Sequence, residues 1–235
     1  MVNRGGILTL VLTLAVAGSV FSLPPLNATP GTQTEKKAAP PTDEWGDNFD
    51  GNTLDSSRWE RFSFEGGSGG TVNVVDGQLQ MRSVSGARAG VRSKPTFSAD
   101  HFFVEAKVAK VGAALPEAGQ TGEIPGNAIL AVLFDSSGLN RIEWILTSDG
   151  LLEAWIMVDG RGERLDGRNL GVRAKDPVLS IVRRGDEFLF MVNGNEGLRK
   201  TFKNMPRNFR VMLYGFGSSE NNWDAVRAVT VKQSK

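Results

Sequence analysis

After residue 45 the chain breaks into short segments of alternating apolar and polar residues, each closed by Gly, Asn or Asp. No stretch carries the apolar period of a long amphipathic helix. That pattern leaves few folds open. Many short strands bury their apolar faces by stacking, so the expected fold is all-β, a two-sheet antiparallel sandwich or jelly roll. The opening segment, Trp45 to Trp59, sets apolar anchors Phe49, Leu54 and Trp59 between the turn residues Asp50-Gly51-Asn52 and Asp55-Ser56-Ser57. It reads as a strand, a tight turn and a second strand. Further strands are expected over Thr71–Val75, Gln78–Val84, Phe102–Val111, Ala128–Asp135, Arg141–Thr147, Leu151–Val158, Val178–Arg184, Phe188–Asn193, Phe209–Phe216 and Ala225–Lys232. Asp76-Gly77, Asp149-Gly150 and Gly185-Asp186 each read as a two-residue hairpin loop. The Gly- and Pro-rich stretch from Gly112 to Gly126 reads as a long loop, either functional or a crossover between sheets.

A length of 235 residues suits one such domain plus small extras. The chain has no cysteine, which excludes disulfides, thiolate metal sites and cysteine nucleophiles. His101 is its one histidine, which excludes a multi-histidine metal cluster. A net charge of +1 provides no basic field for nucleic acid. At the N-terminus, Arg4 precedes an apolar run from Ile7 to Phe21, too short for a comfortable membrane span. Residues 1–22 therefore read as a signal peptide, with an uncleaved anchor as the alternative. Residues 23–44, rich in Pro, Thr, Ala and Lys, read as a disordered linker, and 45–235 as the domain. The expected location is secreted or periplasmic, with no stable membrane span after cleavage.

Several segments resemble the concanavalin A-like lectin/glucanase superfamily. Phe49-Asp50-Gly51…Leu54-Asp55…Trp59 is similar to its "F-D-G-x-x-L-D-x-x-x-W" opening run. Asp76-Gly77-Gln78-Leu79, Phe103 to Val108, Leu179 to Gly185 with Phe188 to Gly194, and Trp223 to Arg227 look like later strands of the same jelly roll. Laminin-G-like and 3-keto-disaccharide hydrolase-like domains are the nearest named types. The resemblance implies a fold that either binds or cleaves sugars. It also implies a structural calcium ion joining the first and last strands, for which Asp47, Asp50 and Asp224 are the matching positions. Asx turns and caps explain those three residues equally well. No other cofactor is expected.

If Asp149-Gly150 is a two-residue loop, Trp144 faces Trp155 across the hairpin, and Ile142, Leu146, Glu153 and Met157 share their face. Two paired indoles beside a carboxylate would make a sugar platform, with Glu153, Arg141 and Asp135 accepting or donating to hydroxyls. The other reading is a core aromatic pair, contributing about 0.5–1.5 kcal/mol beyond burial. Glycosidases need two carboxylates about 5–5.5 Å or about 6.5–9.5 Å apart. Hydrolases of this superfamily place them as E-x-D-x-E or E-x-D-x-x-E along one strand, and no such run exists here. The same register sets Glu143 and Glu153 on opposite faces. Gly66-Gly67-Ser68-Gly69-Gly70 spells a nucleophile-elbow pattern without the helix it needs. The cluster Arg199, Lys200, Lys203, Arg207 and Arg210 reads as a solvated edge or a polyanion-binding patch. The expected function is noncatalytic binding of a glycan or polysaccharide by a monomeric, exported domain. Glycoside hydrolysis and a purely structural module are the alternatives.

Overall fold

Alternation along the sequence becomes the two faces of each pleated strand. In the computed structural model, which describes residues 42–63, 70–83, 88–113, 125–166 and 176–231, sixteen strands follow one another. They are β1 (Thr42–Asp47), β2 (Trp59–Ser63), β3 (Gly70–Val75), β4 (Gln78–Ser83), β5 (Arg88–Ser93), β6 (Phe97–Ser98), β7 (His101–Ala113) and β8 (Asn127–Leu133). Then come β9 (Arg141–Thr147), β10 (Leu152–Val158), β11 (Arg161–Asp166), β12 (Val178–Arg184), β13 (Glu187–Val192), β14 (Asn195–Thr201), β15 (Asn208–Phe216) and β16 (Ser219–Val231). All pairings are antiparallel. One sheet runs β14-β13-β12-β7-β16-β4-β3, with β1 also on β16. The other runs β11-β10-β9-β8-β15-β5-β2, with β6 on β15. This is the expected two-sheet sandwich. The expected signal peptide, most of the linker and the Gly66–Gly69 part of the elbow pattern lie outside the described residues. The linker reading runs too far at its end, because Thr42 to Glu44 already pair with Val231 to Val229. No helix among the described residues is long and apolar enough to cross a membrane.

The core between the sheets takes one side chain in two from each strand. Val104, Ala106 and Val108 enter from β7, Leu130 and Val132 from β8, and Ile142, Trp144 and Leu146 from β9. The opening segment closes one end. Trp59, 1% exposed, stacks edge-on with Trp45 at 4.9 Å and donates its indole N–H to Asp47 at 2.8 Å. The Asp47 carboxylate also accepts the Phe49 amide, which holds Phe49 at φ 55° and buries its ring. The Asp55 carbonyl accepts the amides of Arg58 and Trp59, so the D-x-S-x-W spacing is a turn that delivers Trp59 to the core.

Four strands, β5, β6, β11 and β14, were not expected from the alternation. β11 and β14 are edge strands thick with charge, which blunts edge-to-edge pairing but hides the apolar signal. Their turns were legible all the same. Asp159-Gly160 and Asn193-Gly194, all at positive φ, form two-residue hairpin loops, as do Asp76-Gly77 and Gly185-Asp186.

Candidate functional site

The outer face of the second sheet carries a cleft of about 360 Å³ that runs across the strands from β5 to β10. Arg141, Glu143, Ile145 and Thr147 line it from β9, and Glu153, Trp155 and Met157 from β10. Tyr214 and Phe216 enter from β15, Asn127 and Ile129 from β8, and Arg88 from β5.

This arrangement corrects the expected hairpin register. Trp144 pairs with Ala154, and Trp155 with Glu143. The loop is Ser148-Asp149-Gly150, three residues long, closed by the Thr147 amide donating to the Leu151 carbonyl at 2.9 Å. The Thr147 hydroxyl decides it, donating to the Asp149 carboxylate and accepting the Leu151 amide at 3.0 Å. One extra loop residue turns every side chain of β10 to the opposite face. Trp144 therefore points into the core, 1% exposed, with its indole donating to the Met191 carbonyl at 2.8 Å and packing 5.6 Å from Phe190. It forms no platform with Trp155. Glu143 and Glu153, expected on opposite faces, line the same cleft.

The floor is a buried polar group. Arg141 donates its Nε to Glu143 and a second N–H to the Gly138 carbonyl at 2.6 Å. Tyr214 donates its hydroxyl to the same Glu143 oxygen, Oε1. Burial and the neighbouring Glu143 charge push the Tyr214 phenol well above its ordinary value, so it remains a donor. Burial works against the Arg141 guanidinium, but the oxygens of Tyr214 and Glu143 outweigh it and raise its pKa. Glu143 is 5% exposed, and both donors converge on Oε1, so Oε2 has no donor among the described residues. Tyr214 spans β8 to reach Glu143 because Gly90 leaves it room. A Cβ on Gly90 would stand 2.3 Å from the Leu213 carbonyl oxygen and 2.4 Å from the Tyr214 Cβ. Gly90→Ala is expected to lower stability by about 1–3 kcal/mol, read as a fall in the thermal or urea midpoint, because backbone must move. An unchanged midpoint would show that Gly90 is not needed to seat Tyr214.

Around Trp155 the polar contacts are also fixed. Its indole donates to Glu153 at 3.1 Å, and Arg164 of β11 pairs with the other Glu153 oxygen at 2.9 Å. Asn127 holds the Phe216 end of the cleft. Its side-chain amide exchanges two hydrogen bonds of 2.9 Å with the Phe216 backbone, standing in for a peptide unit.

The remaining expected site residues lie elsewhere. Asp135 accepts from Ser137, Gly138 and Asn140 and shapes the β8–β9 loop outside the cleft. Burial raises its pKa, and those hydrogen bonds more than reverse the effect. At the calcium positions, hydrogen bonds and an ion pair take up the carboxylates of the two strand aspartates. Asp47 is committed to the Trp59 indole and the Phe49 amide, and Asp224 to Lys107 at 2.7 Å and Gln78 at 2.9 Å. Among the described residues no three Asp, Glu or His side chains converge. In the basic cluster, Arg199 pairs with Glu187 and Glu196, Arg207 with Asp100 and Arg210 with Glu60, which argues for a solvated edge. Arg88, Asn127, Tyr214 and Phe216 were not expected at the site. The alternation of β15 put Tyr214 and Phe216 on one face but did not say which face.

The fold is matched among solved structures. The endo-β-1,3-glucanase from Pyrococcus furiosus superposes with a TM-score of 0.56 at 14% identity, over 81% of this chain and 94% of that one. The fold is a concanavalin A-like jelly roll. The β-glucanase of Bacillus licheniformis matches this jelly roll with a TM-score of 0.57 at 13% identity, over 81% and 98% of the two chains. A structure from work on endo-acting O-glycanases of the human gut microbiota, which initiate mucin breakdown, matches with a TM-score of 0.57 at 15% identity, over 80% and 99%. No family model matches the sequence, and no curated protein does.

Proposed function

We propose that this jelly roll binds a carbohydrate in the cleft of its second sheet without cleaving it, and that it does so outside the cytoplasm. One observation carries the reading. Trp155 stands directly opposite Glu143 on the cleft face, so an indole and a carboxylate oxygen with no donor among the described residues meet at one place. An indole face stacks on the apolar face of a pyranose ring, and a carboxylate oxygen accepts its hydroxyl proton. Pre-set hydrogen bonds on Glu143 and Glu153 reduce the ordering cost of binding.

The carboxylates support binding over hydrolysis. A general acid must present a free carboxyl to the leaving oxygen, whereas Glu143 is already paired with Arg141 and Glu153 with Arg164. Among the cleft-facing residues of β9, Glu143 is flanked by Arg141 and Ile145, where a hydrolase strand would repeat Asp or Glu. Hydrolysis remains the second reading because Glu143 and Glu153 share a face on neighbouring strands, one diagonal step apart.

The test is a glycan array with the purified protein beside Trp155→Ala, followed by a reducing-end assay on every glycan retained. The expected result is selective retention, lost in Trp155→Ala, with no release of reducing ends. Retention that survives Trp155→Ala would move binding off this cleft. Release of reducing ends that Glu153→Gln abolishes would replace binding by hydrolysis.

A further inference from the structure

We infer that Gly162 and Arg164 of the edge strand β11 are positioning residues that set the ring of Trp155, an inference that rests on the binding reading for its functional meaning. Neither residue lines the cleft around Trp155, yet both act on that side chain. Arg164 is the cross-strand partner of Trp155, and it holds Glu153 through one oxygen while the Trp155 indole N–H donates to the other. The guanidinium therefore fixes a carboxylate, and the carboxylate fixes the edge of the indole. Gly162 sets the tilt of the ring. A Cβ there would stand 2.8 Å from Met157 Sδ and 3.4 Å from Trp155 Cε3, so the missing side chain is what lets Met157 and the indole lie close to β11.

The register of β11 delivers both residues. From Met157 opposite Gly162 to Trp155 opposite Arg164 the ladder is regular, and it shifts by one residue between Trp155 and Ala154. The extra residue is Leu165, which packs against the core, while Gly162 and Arg164 stay on the cleft side. Bulges commonly re-aim a side chain beside a functional site. Here the bulge keeps an otherwise solvent-exposed, charged edge strand anchored to the core at the point where it must hold Trp155.

Fluorine NMR on protein labelled with 5-fluorotryptophan tests this without a ligand. The chain has five tryptophans, and the resonance missing in Trp155→Phe is that of Trp155. In Arg164→Gln this resonance is expected to shift and to broaden more with a soluble gadolinium chelate, while the other four stay in place. Gly162→Ala is expected to shift it as well. Affinity for a β-1,3-linked glucose hexasaccharide, or for a glycan that the array retains, is expected to fall roughly tenfold in Arg164→Gln, the size of one charge-assisted hydrogen bond. Arg164→Lys, which keeps the charge, should recover part of that loss. A Trp155 resonance unchanged in both Arg164→Gln and Gly162→Ala overturns the positioning role. A resonance that moves in a protein retained by no glycan supports the positioning role and sinks the binding reading alone.

Discussion

Replacing Arg141 with methionine is expected to lower unfolding free energy by about 3–5 kcal/mol, the cost of leaving a buried carboxylate without its counter-charge. The side chains of Arg141 and Glu143 are 2% and 6% exposed, so water cannot take over the role of the guanidinium. The effect should be conditional. With Glu143→Gln added, the charge is gone while the amide oxygen still accepts from Tyr214, and most of the loss should be recovered. Urea denaturation of the wild type, both single variants and the double variant measures the coupling directly. A wild-type midpoint for Arg141→Met would mean that Glu143 is not buried as a charged group. The binding reading would then lose its pre-set acceptor.

The second large effect separates the two tryptophans of one hairpin. Trp144→Ala removes a fully buried indole and should cost about 3–5 kcal/mol. Trp155→Ala, at a half-buried position on the cleft, should cost about 1 kcal/mol or less. Binding should respond in the opposite order, lost in Trp155→Ala and retained by whatever fraction of Trp144→Ala remains folded. Equal stability losses would mean that the two indoles share one environment, as a two-residue loop would require.

That loop marks where sequence reading stopped. Alternation, turn residues and the Phe49–Trp59 spacing were enough for the sandwich and most of its strands, because each rests on local rules. The face of β10 did not follow from local rules. Asp149-Gly150 is a good two-residue loop by composition, and the outcome turned on the Thr147 hydroxyl, which stabilises a loop one residue longer. Glu153 and Trp155 line one cleft, but Trp144 lies on the other face of the sheet, so the expected indole pair does not form. The Arg141–Glu143–Tyr214 group was out of reach for a different reason. Tyr214 and Glu143 are 71 residues apart in sequence, on strands that flank β8, and their meeting depends on the sheet order. Gly90 was a usable clue, a glycine inside a strand that marks close approach.

The place of β16 bears on how the protein is made. It comes after every other described strand, yet it forms the middle of the first sheet, with β7 along one side and β4 and β1 in succession along the other. A nascent chain that has not yet released residues 219–231 has two half-sheets and nothing to join them. Non-local pairing of this kind is slow. The first sheet is therefore expected to close only when residues 219–231 slide between the two halves, a late step in folding.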